Sequence, residues 1–112
     1  MVCEKNQYFA GPLNINRQTK RANTVLGTEL SLEESEFTAL DMLASRANEP
    51  LPFETLYAAV WNSSTDRDAA RLELEKLMKQ IYNAGEGLMW IEYQPEVGYT
   101  FKTRWGHNHQ TP

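Results

Sequence analysis

The chain has one cysteine, Cys3, two histidines, and no apolar stretch approaching the roughly 20 residues that a membrane-spanning helix needs. One cysteine closes no internal disulfide and brings no second thiolate for a metal, so a disulfide scaffold is excluded and a reducing compartment, the cytoplasm, is the expected address. Residues Met1 to Pro12 lack the apolar core of a secretory signal. Lysine and arginine number 11 against 15 aspartates and glutamates, a formal charge of -4, so the chain lacks the strongly cationic surface that holds nucleic acid through phosphates alone. Glycine-rich phosphate loops, a His-Glu-x-x-His pair and a Ser/His/Asp set are also missing. Cys3 has no nearby histidine, and His107 and His109 are two ligands without a third. Neither an enzyme nor a bound cofactor or metal is expected.

What remains is a globular composition: 41% hydrophobic and 11% aromatic over 112 residues suffices for one core. One domain is expected over 1–105, followed by a polar tail, 106–112. Near the start, Leu13 and Ile15 flank Asn14, Val25-Leu26 precedes Gly27, and Leu30 and Leu32 flank Ser31, with Gly11-Pro12 and Gly27 as breaks. This period of two predicts a small antiparallel sheet.

From Ser31 the period becomes helical. Ser31 and Glu34 have capping-box spacing, and Phe37, Leu40, Leu43, Ala44 and Ala47 share a face, which predicts a helix over about 33–47. Asn48-Glu49-Pro50 stops it. Pro52 suits the first turn of a second helix over about 53–61, with Phe53, Leu56, Tyr57, Val60 and Trp61 apolar. After the polar connector from Asn62 to Asp66, the stripe of Ala70, Leu74, Leu77, Met78 and Ile81 predicts a third helix over about 66–82, ended by Asn83 to Gly87. Met89 to Tyr93 and Val97 to Phe101 flank Gln94-Pro95-Glu96 and read as a hairpin. The expected core contains Phe37, Leu40, Leu56, Val60, Leu74, Leu77 and Ile81. A small sheet, three helices and a closing hairpin is the α+β order of a winged helix-turn-helix.

Several residues strengthen that order. Leu32 with Glu36, Phe37 and Leu40, then Val60-Trp61, then Leu74 with Leu77 and Lys79, then Val97-Gly98-Tyr99-Thr100-Phe101 together resemble the OmpR/PhoB-type output domains of bacterial response regulators, over about residues 8–104. The resemblance implies a sequence-specific DNA-binding regulator, with the third helix in the major groove and the hairpin wing at the minor groove. Its implied partners are double-stranded DNA, RNA polymerase and a second copy of the chain on tandem half-sites. It also implies two-component signalling, with a receiver domain ahead of the output domain; the 112 residues contain no such receiver, so either an excised output domain or a stand-alone regulator is expected.

On a helical wheel the face opposite the third helix's core stripe presents Asp68, Leu72, Glu75, Lys76 and Lys79. The resemblance assigns Leu72 and Lys76 to base edges, a thymine methyl and guanine O6/N7 respectively. Arg67, Arg71 and Lys79 are then phosphate candidates, joined by Lys102 and Arg104 at the wing base, while Tyr93 stands where the family's wing threonine touches phosphate. The chain departs from the family at Pro52-Phe53, where Ser-Arg is usual, at Glu73 and Arg71, and at Pro95-Glu96 in the wing.

A plainer reading stands beside this one. Arg67, Arg71, Lys76 and Lys79 balance Asp66, Asp68, Glu73 and Glu75. Asp68–Arg71 and Glu75–Lys79 have the spacing of ordinary intrahelical pairs, and Glu73 or Glu75 can hold Lys76. The alternative to DNA binding is therefore a winged-helix protein-interaction module, with Leu72 and Met78 exposed on its surface.

Overall fold

The computed structural model describes residues 7–25, 27–62 and 65–104. Three strands come first, β1 (Gln7–Ala10), β2 (Leu13–Asn16) and β3 (Arg21–Thr24), antiparallel in that order. Ile15 sits between Tyr8 and Ala22 on the face turned to the core, with Leu13 beside Ala10 and Thr24, so side chains of period two bury one face of the sheet. The third strand is not where the apolar residues predict it. Val25 is half exposed in a turn, and Leu26 lies outside the described residues. Leu30 is buried, but its segment pairs with β3 as an isolated bridge, Asn23–Glu29, with the Leu30 N–H to Ala22 and Thr24 N–H to Thr28 bonds, rather than as a strand. Arg21–Thr24 forms the strand because small Ala22 and Thr24 suffice to fill the inner face there.

The sheet is tied to α1 (Glu34–Ser45) by a polar clasp. The Tyr8 hydroxyl donates to Asp41 Oδ1 at 2.5 Å, and Arg17 Nε donates to the same carboxylate at 3.0 Å. Burial, reinforced by the Asp41 carboxylate, pushes the Tyr8 phenol well above its ordinary range. The α1 cap differs from the predicted Ser31–Glu34 box. Glu33 is the N-cap, and its N–H donates to the Glu36 carboxylate at 3.0 Å. Ser31 is instead held at both backbone groups by the Gln80 side chain, at 3.1 and 2.8 Å. Phe37, Leu40, Leu43 and Ala44 form the expected buried face. The helix stops before Ala47: Arg46 N–H turns back to Leu43, and Asn48, at φ 70°, donates its N–H to Phe101.

A short α2 (Phe53–Leu56) runs directly into a wide π turn, Tyr57–Trp61, closed by the Asn62 N–H to Tyr57 O bond. The extra residue in that turn carries Trp61 inward to full burial and leaves Val60, expected in the core, only partly buried at its margin. α3 (Arg67–Gly85) buries Ala70, Leu74, Leu77 and Ile81 as predicted, but continues three residues past the expected end. Ala84 and Gly85 extend the buried stripe, and a Cβ on Gly85 would lie 2.5 Å from Met89 Cγ, so the missing side chain is the space that Met89 fills.

The hairpin is β4 (Met89–Gln94) and β5 (Gly98–Thr103), with Met89 opposite Thr103 and Gln94 opposite Gly98. Val97, expected in the strand, is exposed in the turn. Leu51 adds a short third element beside β5, exchanging both backbone bonds with Tyr99 at 2.7 and 2.8 Å. Gly98 makes this approach feasible: its φ is 127°, and a Cβ there would lie 2.2 Å from the Leu51 carbonyl oxygen. Six of the seven expected core residues are fully buried, Val60 being the exception. Cys3, His107, His109 and the segment 106–112 lie outside the described residues. Among those described, no helix is long and apolar enough to cross a membrane.

Candidate nucleic-acid interface

The buried stripe of α3 fixes its outward face, on which Asp68, Leu72, Glu75, Lys76, Lys79 and Tyr82 are all exposed. Leu72 and Tyr82 are about two-thirds exposed, at 60% and 66%. Met78 is turned to the side and packs against the core, so it does not join Leu72 on the surface. Lys76 occupies the edge of the outward face toward α1, over a cleft of about 570 Å³ that Ser31, Glu33 and Glu36 also line.

None of the intrahelical pairs that the spacing allows is formed. Among the described residues no ion pair joins two residues of α3, and Arg71, Lys76 and Lys79 have no carboxylate within ion-pair distance. Glu73 is turned inward, where its carboxylate accepts from the Ser35 hydroxyl at 2.6 Å and the Trp61 indole N–H at 3.2 Å. It serves as a polar joint between three helical segments, away from Lys76.

The first turns of α3 meet α2 and the wing. Arg67 places its fork on the Glu54 carboxylate, with Nη2 to Oε1 at 2.7 Å and Nη1 on Oε2. The hydrogen bond from Arg67 holds the Glu54 carboxyl below its ordinary range and raises the guanidinium in turn. Arg67 also lies 5.0 Å over the Tyr57 ring, and Arg71 lies 4.1 Å over Phe53. Phe53 and Tyr57 are stacked at 5.6 Å, so the two arginines share one aromatic platform. A second cleft, of about 250 Å³, separates Arg71 and Phe53 from Tyr93, Pro95 and Glu96 of the wing.

On the wing, Tyr93 is 40% exposed and its ring packs on Tyr99 at 4.7 Å. Burial pushes the Tyr99 phenol up, opposed by nearby Arg71. Lys102 reaches Glu92 at 3.4 Å, and Arg104 lies 5.6 Å over Trp90. The structure thus gathers Leu72, Lys76 and Lys79 on one face of α3 and Arg67, Arg71 and Tyr93 around the α2–wing junction. Lys102 and Arg104 stand apart, at the hairpin base.

Sequence reasoning placed Phe53 and Tyr57 on the apolar stripe of the second helix, where they do border the core, but assigned no role to them or to Glu54 beside the arginines. The available signal was the i, i+4 spacing of Phe53 and Tyr57, with Phe53 at the family's Ser-Arg position. Tyr82 was also missed, although it lies on the outward face one turn beyond Lys79.

A three-helix unit whose third helix lies against a C-terminal hairpin defines a winged helix-turn-helix, a class of DNA-binding regulator domains. The chain belongs to the family described as "Transcriptional regulatory protein, C terminal", whose model matches residues 27–101, and is of the OmpR/PhoB type. Solved structures share the fold. The DNA-binding domain of CpxR from E. coli has a TM-score of 0.71 at 22% identity, over 87% of this chain and 96% of that one. The E. coli CadC DNA-binding domain has a TM-score of 0.74 at 20% identity, over 92% and 99%. The RstA DNA-binding domain from Klebsiella pneumoniae, solved in complex with the RstA box, has a TM-score of 0.70 at 20% identity, over 88% and 98%. No curated protein sequence matches the chain significantly.

Proposed function

We propose that the domain seats α3 in a major groove of double-stranded DNA, with the β4–β5 wing at the adjacent minor groove, and thereby controls transcription. The observation that carries this reading is that Arg71, Lys76 and Lys79 stand on or beside the outward face of α3 without carboxylate partners among the described residues. Cations released from local pairing are what a polyanionic backbone requires. That the similar RstA domain was solved in complex with the RstA box supports DNA as the partner. In this reading Lys79 and Arg71 take phosphates, Leu72 packs on a thymine methyl, and Lys76 reads guanine from the α1 edge of the face. Tyr93, Lys102 and Arg104 add wing contacts to the backbone. With so few cations per copy, useful affinity comes from a second copy on a tandem half-site, and RNA polymerase is the further partner at a promoter in the cytoplasm.

The test is a salt titration of binding to mixed genomic DNA, with Lys79→Ala alongside. The expected result is a log–log salt slope for the wild type and a slope shallower by about 1 for the variant, on every sequence alike. Binding without a salt slope, or no binding, would refute the reading and favour a protein partner at Leu72 and Tyr82.

A further inference from the structure

Two arginines, one turn apart on α3, rest on the same pair of stacked rings, but their charges are treated differently. Arg71 lies over Phe53 and, among the described residues, has no carboxylate within ion-pair distance. Arg67 has both terminal nitrogens on Glu54, in a pair that is open to solvent, with the side chains 51% and 66% exposed. A carboxylate that meets a guanidinium fork side-on presents the oxygen spacing of a phosphate, so Glu54 takes up the donors with which Arg67 would clamp DNA. The pair sums to zero charge, and a neutral pair displaces no counterions from a duplex.

We propose that Glu54 acts as an intramolecular stand-in for phosphate, withholding Arg67 from DNA while Arg71 remains available. This inference rests on the proposed docking of α3 and deepens it. Glu54 is a positioning residue: it acts through Arg67, and it lowers sequence-independent affinity, leaving relatively more of the binding to the base contacts. Tyr57 lies 5.0 Å beneath the Arg67 guanidinium on the side of the platform it shares with Phe53.

The experiment measures affinity for scrambled DNA across a range of salt with the wild type, Glu54→Gln, Arg67→Ala and the double variant, each first checked for a cooperative thermal melt well above the assay temperature. Glu54→Gln is expected to bind about fivefold tighter, the scale of one exposed ion pair released, with a slope steeper by about 0.9. In the Arg67→Ala background that steepening should vanish. If Arg67→Ala alone flattens the slope by about 0.9, Arg67 already contacts phosphate and the proposal fails. If the gain from Glu54→Gln persists without Arg67, Glu54 repels DNA directly and the proposal fails in that way instead. A lack of salt-dependent binding by all four proteins would overturn the DNA-docking reading itself.

Discussion

Replacing Gly98 by alanine tests how the wing is attached. The residue sits at φ 127°, and the added methyl would lie 2.2 Å from the Leu51 carbonyl oxygen and 2.8 Å from Pro52 Cα, both backbone atoms. Holding a non-glycine residue in that conformation costs about 1 to 3 kcal/mol. Relieving the clash separates Leu51 from β5 and breaks the two Leu51–Tyr99 backbone bonds, each worth about 0.5 to 1.5 kcal/mol net. The sum, about 2 to 6 kcal/mol, is a large share of the roughly 5 to 15 kcal/mol that stabilises a typical domain. Urea denaturation reads it as a lowered midpoint at unchanged slope. Gly87→Ala is the control, because Gly87 also has positive φ, 85°, but a Cβ there meets nothing within 4 Å. It carries the conformational cost without the clash. If Gly98→Ala destabilises no more than Gly87→Ala, the close approach of Leu51 does not constrain position 98 and the reasoning is wrong.

Leu77 is fully buried at the centre of the α3 stripe, so Leu77→Ala should cost about 2 to 5 kcal/mol in the same denaturation assay. Lys76→Ala should lower affinity for a selected site by about 1 to 3 kcal/mol relative to scrambled DNA, and an unchanged ratio would remove Lys76 from base reading. The Glu54 carboxyl is held below its ordinary value of 4.5 by Arg67, so the stability from that pair is present above 4.5 and is lost as pH falls through the lower folded value. The difference in thermal melt between wild type and Glu54→Gln should therefore be flat from about pH 5 to 8 and close only on further acidification.

The helices were legible in the sequence because their apolar residues recur at one period and face one core. Leu74, Leu77 and Ile81 on α3 and Phe37, Leu40 and Leu43 on α1 announce their own burial. The errors fall where local pattern and tertiary packing disagree. Arg21–Thr24 carries no strongly apolar residue, yet it forms a strand because β2 pairs with it and small Ala22 fits beneath. Gly85 has the composition of a helix stop but lies inside α3, because Met89 packs where its side chain would be. The outward face of α3 could be listed from the wheel, since the core stripe fixes it. Which of its charges are free could not, because the partners come from elsewhere in the chain: Glu73 is taken by Ser35 and Trp61, and Arg67 by Glu54. Of the pairs that intrahelical spacing offered, Glu73–Lys76 gives way to a longer-range contact.

The backbone stitching of residues 48 and 51 to β5 has a consequence for the DNA. The segment that links α1 to α2 is an edge of the wing sheet, so the wing cannot swing away from the helices without breaking those bonds. Helix and hairpin therefore present a fixed gauge, and the duplex must supply whatever adjustment a given site requires. On the proposed docking, sequences with easily deformed pyrimidine–purine steps between the two contacts are expected to bind better than stiff ones, at base pairs that no side chain touches.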